Sequence, residues 1–117
     1  MSADAETILG ALAVDYWKLL RSFERLASDA PAEKSARLQA QARFSAGRLS
    51  THLEAYGLQL ATFEGQTIAA EMPVVAINAD EFEGQPGVIV ESTIEPAVVA
   101  GSRIISVGRV VAAAGGV

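Results

Sequence analysis

The chain has 117 residues, 50% of them hydrophobic and 20% charged, with a formal net charge of -5 and no cysteine. That length holds one ordinary core, or one small domain with a helical extension, and the apolar fraction argues against disorder. Without cysteine there is no disulfide, thiol nucleophile, zinc-thiolate site or iron–sulfur cluster; the single histidine, His52, excludes a multi-histidine metal centre; and the acidic balance disfavours a general nucleic-acid or anionic-membrane surface.

No stretch reads as a membrane span. The most apolar segment, 97–117, is interrupted by Gly101, Arg103, Gly108 and Arg109, short of the roughly 18–20 unbroken apolar residues a span needs. The N-terminal run MSADAETILG starts acidic and lacks a basic leader. A soluble, cytoplasmic protein is the expectation.

Composition divides the chain at Gly57. Residues 1–57 hold eight Leu and only Ile8 and Val14 among β-branched aliphatics, whereas residues 58–117 hold two Leu and sixteen Val or Ile. Unbranched side chains keep their rotamer freedom in helices, and β-branched ones suit strands. The first region, 1–57, therefore reads as helical and the second, 58–117, as β. Charge divides at the same point: seven acids balance seven bases in the first region, and seven acids face only Arg103 and Arg109 in the second.

In the first region Leu9, Leu12, Tyr16, Leu19, Phe23 and Leu26 recur at alternating spacings of 3 and 4, an apolar seam along one long helix. Ile8, Ala13, Trp17 and Leu20 widen the seam, which suits a bundle and predicts a buried Trp17. Ser28 to Ala30 break the pattern. Pro31 then sits where a first helical residue belongs, and Glu33 follows in the first turn. A second helix is expected over 31–56. Its inner seam is Leu38, Ala42, Ser45, Leu49, His52 or Leu53, and Tyr56. Gly57 fits the left-handed position that ends a helix. The short connection makes the pair an antiparallel hairpin. A lone hairpin cannot cover both seams, so two copies are expected to pair as a four-helix bundle through Leu9, Leu12, Tyr16, Leu19, Phe23 and Leu49.

In the second region strands are expected over 58–63, 74–78, 88–94 and 103–113. Turns fall at Glu64-Gly65, at 83–87 and at 100–102. Alternation along Val88, Val90, Ser92 and Ile94 marks a half-buried strand. The fold class is α+β: a helical hairpin followed by a small antiparallel β domain, a sandwich or barrel. Residues 112–117 are expected to fray.

Enzyme motifs are absent: there is no phosphate loop, dinucleotide-binding glycine motif, nucleophile elbow or HExxH. Ser50, Thr51 and His52 are consecutive on a helix and point in different directions. No catalytic residue, metal site or cofactor is therefore assigned. Asp80, Glu81 and Glu83 surround Phe82 in an acidic loop. Three readings stand open: a solvated turn with Phe82 tucked into the sheet, an aromatic anchor offered to a basic partner, or a Ca²⁺ site without the regular ligand spacing one needs. Arg37, Arg43 and Arg48 on the second helix form either a solvated face or a strip facing a partner.

Long helices, a glycine and then a short all-β domain is an uncommon order. It resembles GrpE, the nucleotide exchange factor of bacterial Hsp70 chaperones. The resemblance covers about residues 57–113: the helix end Tyr56-Gly57-Leu58, then the run MPVVAINADEFEGQPGVIVESTIEPAVVAGSRIISVGRVVAA from Met72 to Ala113. Strand order, acidic loop and the Gly101 turn correspond. Met72 stands where the family usually has His, and Ile105 stands where it often has Arg, before Ser106. The helical region is shorter than the family's coiled coil. The resemblance implies a homodimer whose β domain projects as a wing, enters the nucleotide-binding domain of an Hsp70-type chaperone and opens it so that ADP leaves. The implied wing contacts are Glu81, Phe82, Glu83, Gln85 and Glu91, with Arg48 and Glu54 adjoining. An alternative of another class is a small acidic dimer that binds a client, or a structural interaction protein, without exchange activity; dependence on the partner's nucleotide separates the two.

Overall fold

The computed structural model describes residues 3–115, with side chains from Asp4 onward. Two helices lead: α1, Ala3–Ser28, and α2, Ala32–Glu54. Six short strands follow: β1 Gln59–Ala61, β2 Val74–Ala76, β3 Ile89–Glu95, β4 Ala97–Ala100, β5 Arg103–Ser106 and β6 Gly108–Ala113. The class is α+β, and the chain divides into two compact units, residues 1–59 and 60–117.

Within the first unit the helices run antiparallel. Gln39 Nε2 donates to Ser28 Oγ at 2.9 Å near the connection, and the Tyr16 hydroxyl donates to the Ser45 carbonyl at 3.3 Å farther along. The contact is made by small residues: Gly10, Ala13 and Ala27 of α1 and Ala42 of α2 are buried, with Leu53 at the end. Leu38, Ser45 and Leu49 are half-buried on the same side of α2, so its inner seam lies where the spacing places it. His52 and Tyr56 point outward. On α1 the inner stripe is rotated from the leucine seam. Leu12, Tyr16, Leu19 and Leu26 are exposed, whereas Leu9, Phe23 and Trp17 are half-buried. Arg21 covers the Trp17 ring, its guanidinium carbon 4.7 Å from the centroid.

Both ends of α2 have local causes. Pro31 is the N-cap rather than the first helical residue: its ψ of 146° is extended, and its carbonyl accepts from the Ser35 N–H at 2.8 Å. At the C-terminus the Leu58 N–H donates to the Leu53 carbonyl and the Gly57 N–H to the Glu54 carbonyl, both at 2.9 Å. This is the Schellman pattern, and Gly57 takes the left-handed φ of 72° that it requires. Leu53 and Leu58, the apolar pair that accompanies the motif, are both buried. An alanine at Gly57 would carry a Cβ into that conformation. Gly57→Ala is expected to cost about 1 kcal/mol, measured as a lower unfolding midpoint of the fluorescence of Trp17.

The β unit holds two three-stranded sheets, β1-β4-β5 and β2-β6-β3. The expectation of a purely antiparallel arrangement is corrected here: β2 runs parallel to β6, with Val74 opposite Gly108 and Ala76 opposite Val110. Parallel neighbours need a long crossover, and three strands intervene between these two. β3 pairs antiparallel with β6, with bulges at Val90/Ser92 and Thr93/Glu95. β4 and β5 form a hairpin in which Ala100 faces Arg103 across Gly101 and Ser102. Gly101 has φ of 62° and Ser102 is not in the positive-φ region, as in a type II′ turn. The core consists of Val90, Pro96, Ala97, Val98, Val110 and Ala112, all buried. Along β6 burial alternates, with Gly108, Val110 and Ala112 inward and Arg109 outward.

Two further differences from the sequence reading have clear origins. β4 follows buried Pro96 directly and has no polar alternation, so nothing in its pattern separates it from a connection. The run 103–113 is two strands in two sheets, broken at Val107, and its Val and Ile content on both sides of that residue hides the boundary.

Candidate functional site

The acidic segment after β2 is built onto β6. The Ile77 N–H donates to the Val110 carbonyl at 2.9 Å, continuing the parallel ladder past the end of β2. Asn78 then substitutes its side chain for a strand residue. Its Nδ2 donates to the Ala112 carbonyl at 3.0 Å, and its Oδ1 accepts from the Ala112 N–H at 2.9 Å. This paired amide contact, part-buried, holds the chain against β6 as it leaves the sheet. A single 3₁₀ turn follows at Ala79–Phe82, closed by the Glu81 N–H donating to the Asn78 carbonyl at 3.1 Å. The Gln85 N–H donates to the Phe82 carbonyl at 3.0 Å, and Gly84, with φ of 78°, reverses the chain.

Asp80, Glu81, Glu83 and Gln85 are exposed on this turn, and Phe82 is half-buried. The loop thus shows its carboxylates to solvent while its aromatic ring is partly covered. Glu91 is exposed on β3, at the bulge after Val90. Because β6 lies between β2 and β3, Glu91 is separated from the turn by the width of two strand spacings, about 10 Å. Glu81, Glu83 and Gln85 are brought together; Glu91 stands apart. Arg48 and Glu54 are exposed on α2 in the helical unit, Arg48 with its guanidinium carbon 5.9 Å from the Phe44 centroid.

Asn78 is the residue that the sequence reading passes over. An asparagine between a strand and an acidic turn is the only signal of its role, and a turn asparagine ordinarily bonds to its own loop. Met72 and Ile105 are both half-buried. Among the described residues no three carboxylate or imidazole groups converge as a metal site, and no helix is long and apolar enough to cross a membrane.

A second feature lies on the helical unit. Ile8, Leu12, Tyr16, Leu19 and Leu26 form an exposed apolar stripe along α1. Beside it a groove of about 260 Å³ opens between the helices, lined by Tyr16, Leu19, Phe23, Ala42 and Ser45 among others. Leu12 and Leu19 are 62% and 73% exposed, unusual for leucines in a continuous row on an isolated protein. Three of the side chains expected at a dimer contact, Leu12, Tyr16 and Leu19, are on this stripe. Leu9 and Phe23 are half-buried on α1, and Leu49 is half-buried on the inner seam of α2.

Compared with protein-family models, with curated proteins and with solved structures, the chain matches none.

Proposed function

We propose that the chain is a GrpE-like co-chaperone: a homodimer joined through its helices as a four-helix bundle, whose β unit promotes ADP release from an Hsp70-type chaperone. The observation that carries this reading is the anchored acidic turn. Asp80, Glu81 and Glu83 project from a segment pinned to the central strand β6 by the paired Asn78 amide bonds of 2.9 and 3.0 Å. A turn held in this way loses little further freedom on binding, so more of its contact energy is available to the complex. It presents negative charge and needs a partner surface rich in Lys or Arg.

No bond is made or broken in the proposed activity. The β unit binds the open conformer of the partner's nucleotide-binding domain better than the closed one, and the ratio of the two affinities sets how far the equilibrium shifts. Open domains hold ADP poorly, so nucleotide leaves. Arg48 and Glu54, exposed on α2, are assigned as weaker contacts with the same partner.

The test is release of a fluorescent ADP analogue from the host's Hsp70, chased with ATP in a stopped-flow instrument. Release is expected to accelerate in proportion to added protein. Glu81→Lys with Glu83→Lys, both at exposed positions, is expected to reduce the acceleration at least about tenfold, since reversing charges at a contact costs more than a kilocalorie. Phe82→Ala is a poorer probe, because the half-buried ring also supports the turn. Unchanged release from every Hsp70 of the host overturns the proposal. The exposed stripe of α1 favours a second reading, in which the dimer holds a client on its apolar surface; such binding would ignore the nucleotide state of any partner.

A further inference from the structure

Strand β2 is an open edge, with β6 on one side only. The Gly108 N–H donates to the Pro73 carbonyl at 2.8 Å and the Ile77 N–H to the Val110 carbonyl at 2.9 Å. In a parallel ladder, alternate residues turn both backbone groups to the same neighbour. Pro73, Val75 and Ile77 therefore face β6, and Val74 and Ala76 face away from it. The Val74 N–H is taken up by the Met72 carbonyl at 2.8 Å. The Val74 carbonyl and both backbone groups of Ala76 are left pointing outward.

The side chains beside this edge are apolar. Val75 and Ile77 are 53% and 50% exposed, on the face of the sheet that also carries Arg109, the residue opposite Val75. Arg109 is engaged with Glu95 at 3.9 Å. Edge strands are commonly protected by a lysine, a bulge or a proline in the strand. β2 is short, three residues, and Pro73 stands just before it with its carbonyl on β6, but within the strand there is no lysine, bulge or proline, and no Lys or Arg occurs anywhere from residue 49 to residue 102. Exposed carboxylates stand at both ends of the strand instead: Glu71 before it, and Asp80, Glu81 and Glu83 after it.

We propose that the edge of β2 takes up an extended apolar peptide segment with basic residues at both ends, added as a fourth strand of the β2-β6-β3 sheet. The Val74 and Ala76 backbone groups supply the hydrogen bonds, Val75 and Ile77 supply apolar contacts to alternate side chains, and the flanking carboxylates hold the basic ends. The charge arrangement selects this occupant over a second copy of the chain, whose own β2 would bring acid against acid. The site requires neither nucleotide nor Hsp70, so it stands or falls separately from the exchange activity.

The probe is a fluorescein-labelled peptide of alternating Thr and Val with two Lys at each end, titrated with the full-length protein and followed by anisotropy. Saturable binding is expected. The same peptide methylated at the backbone nitrogens of alternate residues is expected to bind about tenfold more weakly, because two hydrogen bonds at about 0.7 kcal/mol each are lost. The version with Glu in place of Lys is expected to bind more weakly by at least as much. Both comparisons use unaltered protein, so no folding defect intervenes. Ala76→Pro removes the outward N–H without touching the ladder to β6 and is expected to weaken the Lys-ended peptide about threefold, because one hydrogen bond is lost rather than two. Failure of the Lys-ended peptide to saturate, equal binding of the methylated peptide, or equal binding of the Glu-ended peptide would each overturn the proposal.

Discussion

Gly108→Ala is expected to destabilise the β unit by about 3 kcal/mol, at the upper end of what overpacking costs. The backbone conformation is not the reason, because Gly108 is not among the glycines with positive φ. Space is the reason. A Cβ at this position would lie 2.8 Å from the Ala97 nitrogen, 2.8 Å from the Glu95 carbonyl oxygen and 3.2 Å from the Pro96 carbonyl carbon. All three are backbone atoms of the corner between β3 and β4, so no side chain can rotate away. Gly108 also begins β6, the central strand of its sheet, and donates to Pro73 at 2.8 Å. A shift at Gly108 therefore disturbs β2 and the corner together. Gly47 supplies the opposite sign. It lies within α2 with nothing within 4 Å of a Cβ built there, so Gly47→Ala should stabilise by about 0.5–1 kcal/mol through helix propensity. Trp17, Tyr16 and Tyr56 all belong to the helical unit, so their fluorescence follows Gly47→Ala. Gly108→Ala must be read by amide hydrogen exchange of the β strands. Exchange unchanged in Gly108→Ala would mean that the β3–β4 corner can move at little cost.

Three glycines also mark how far the sequence could be read. Gly57, at the end of a helical pattern, announced its left-handed role, and the structure bears it out with two hydrogen bonds. Gly101 between apolar runs announced a tight turn in the same way. Gly108 announced nothing, because its function is to let a distant segment pass, and that contact joins residues related only through the fold. The change from Leu to Val and Ile located the passage from helix to strand. Strand pairing was less legible. Short strands of Val and Ala carry little alternation, so β4 was invisible, and the direction of β2 relative to β6 depends on a crossover that composition does not encode. The candidate site divides similarly. The acidic loop is evident from Asp80, Glu81 and Glu83, but its attachment through Asn78 to Ala112 spans 34 residues and has no local signature.

Leu12→Lys combined with Leu19→Lys is expected to convert a dimer into a monomer. Ile8, Leu12, Tyr16, Leu19 and Leu26 lie along one side of α1, a stripe that extends about 27 Å at the helical rise per residue. The hairpin buries a different side of α1 against α2, through Gly10, Ala13 and Ala27. The stripe is therefore surplus to the folding of one chain. A second copy offers the same stripe and the adjoining groove of about 260 Å³, which is the self-complementarity a twofold contact requires. Electrostatics do not oppose it, since residues 1–57 carry seven acids and seven bases. In the double variant four leucines leave the interface, two from each protomer. At about 1.5 kcal/mol for each, association weakens by roughly 6 kcal/mol, or about four orders of magnitude in Kd. Sedimentation equilibrium measures this directly against the chain mass of 12.2 kDa: the parent protein should show twice that mass and the variant that mass alone. Both positions are exposed in the single chain, so circular dichroism of the variant should retain its helices. A parent protein of single-chain mass, or a variant that still dimerises, would remove the stripe from the interface and leave it to the client-binding reading.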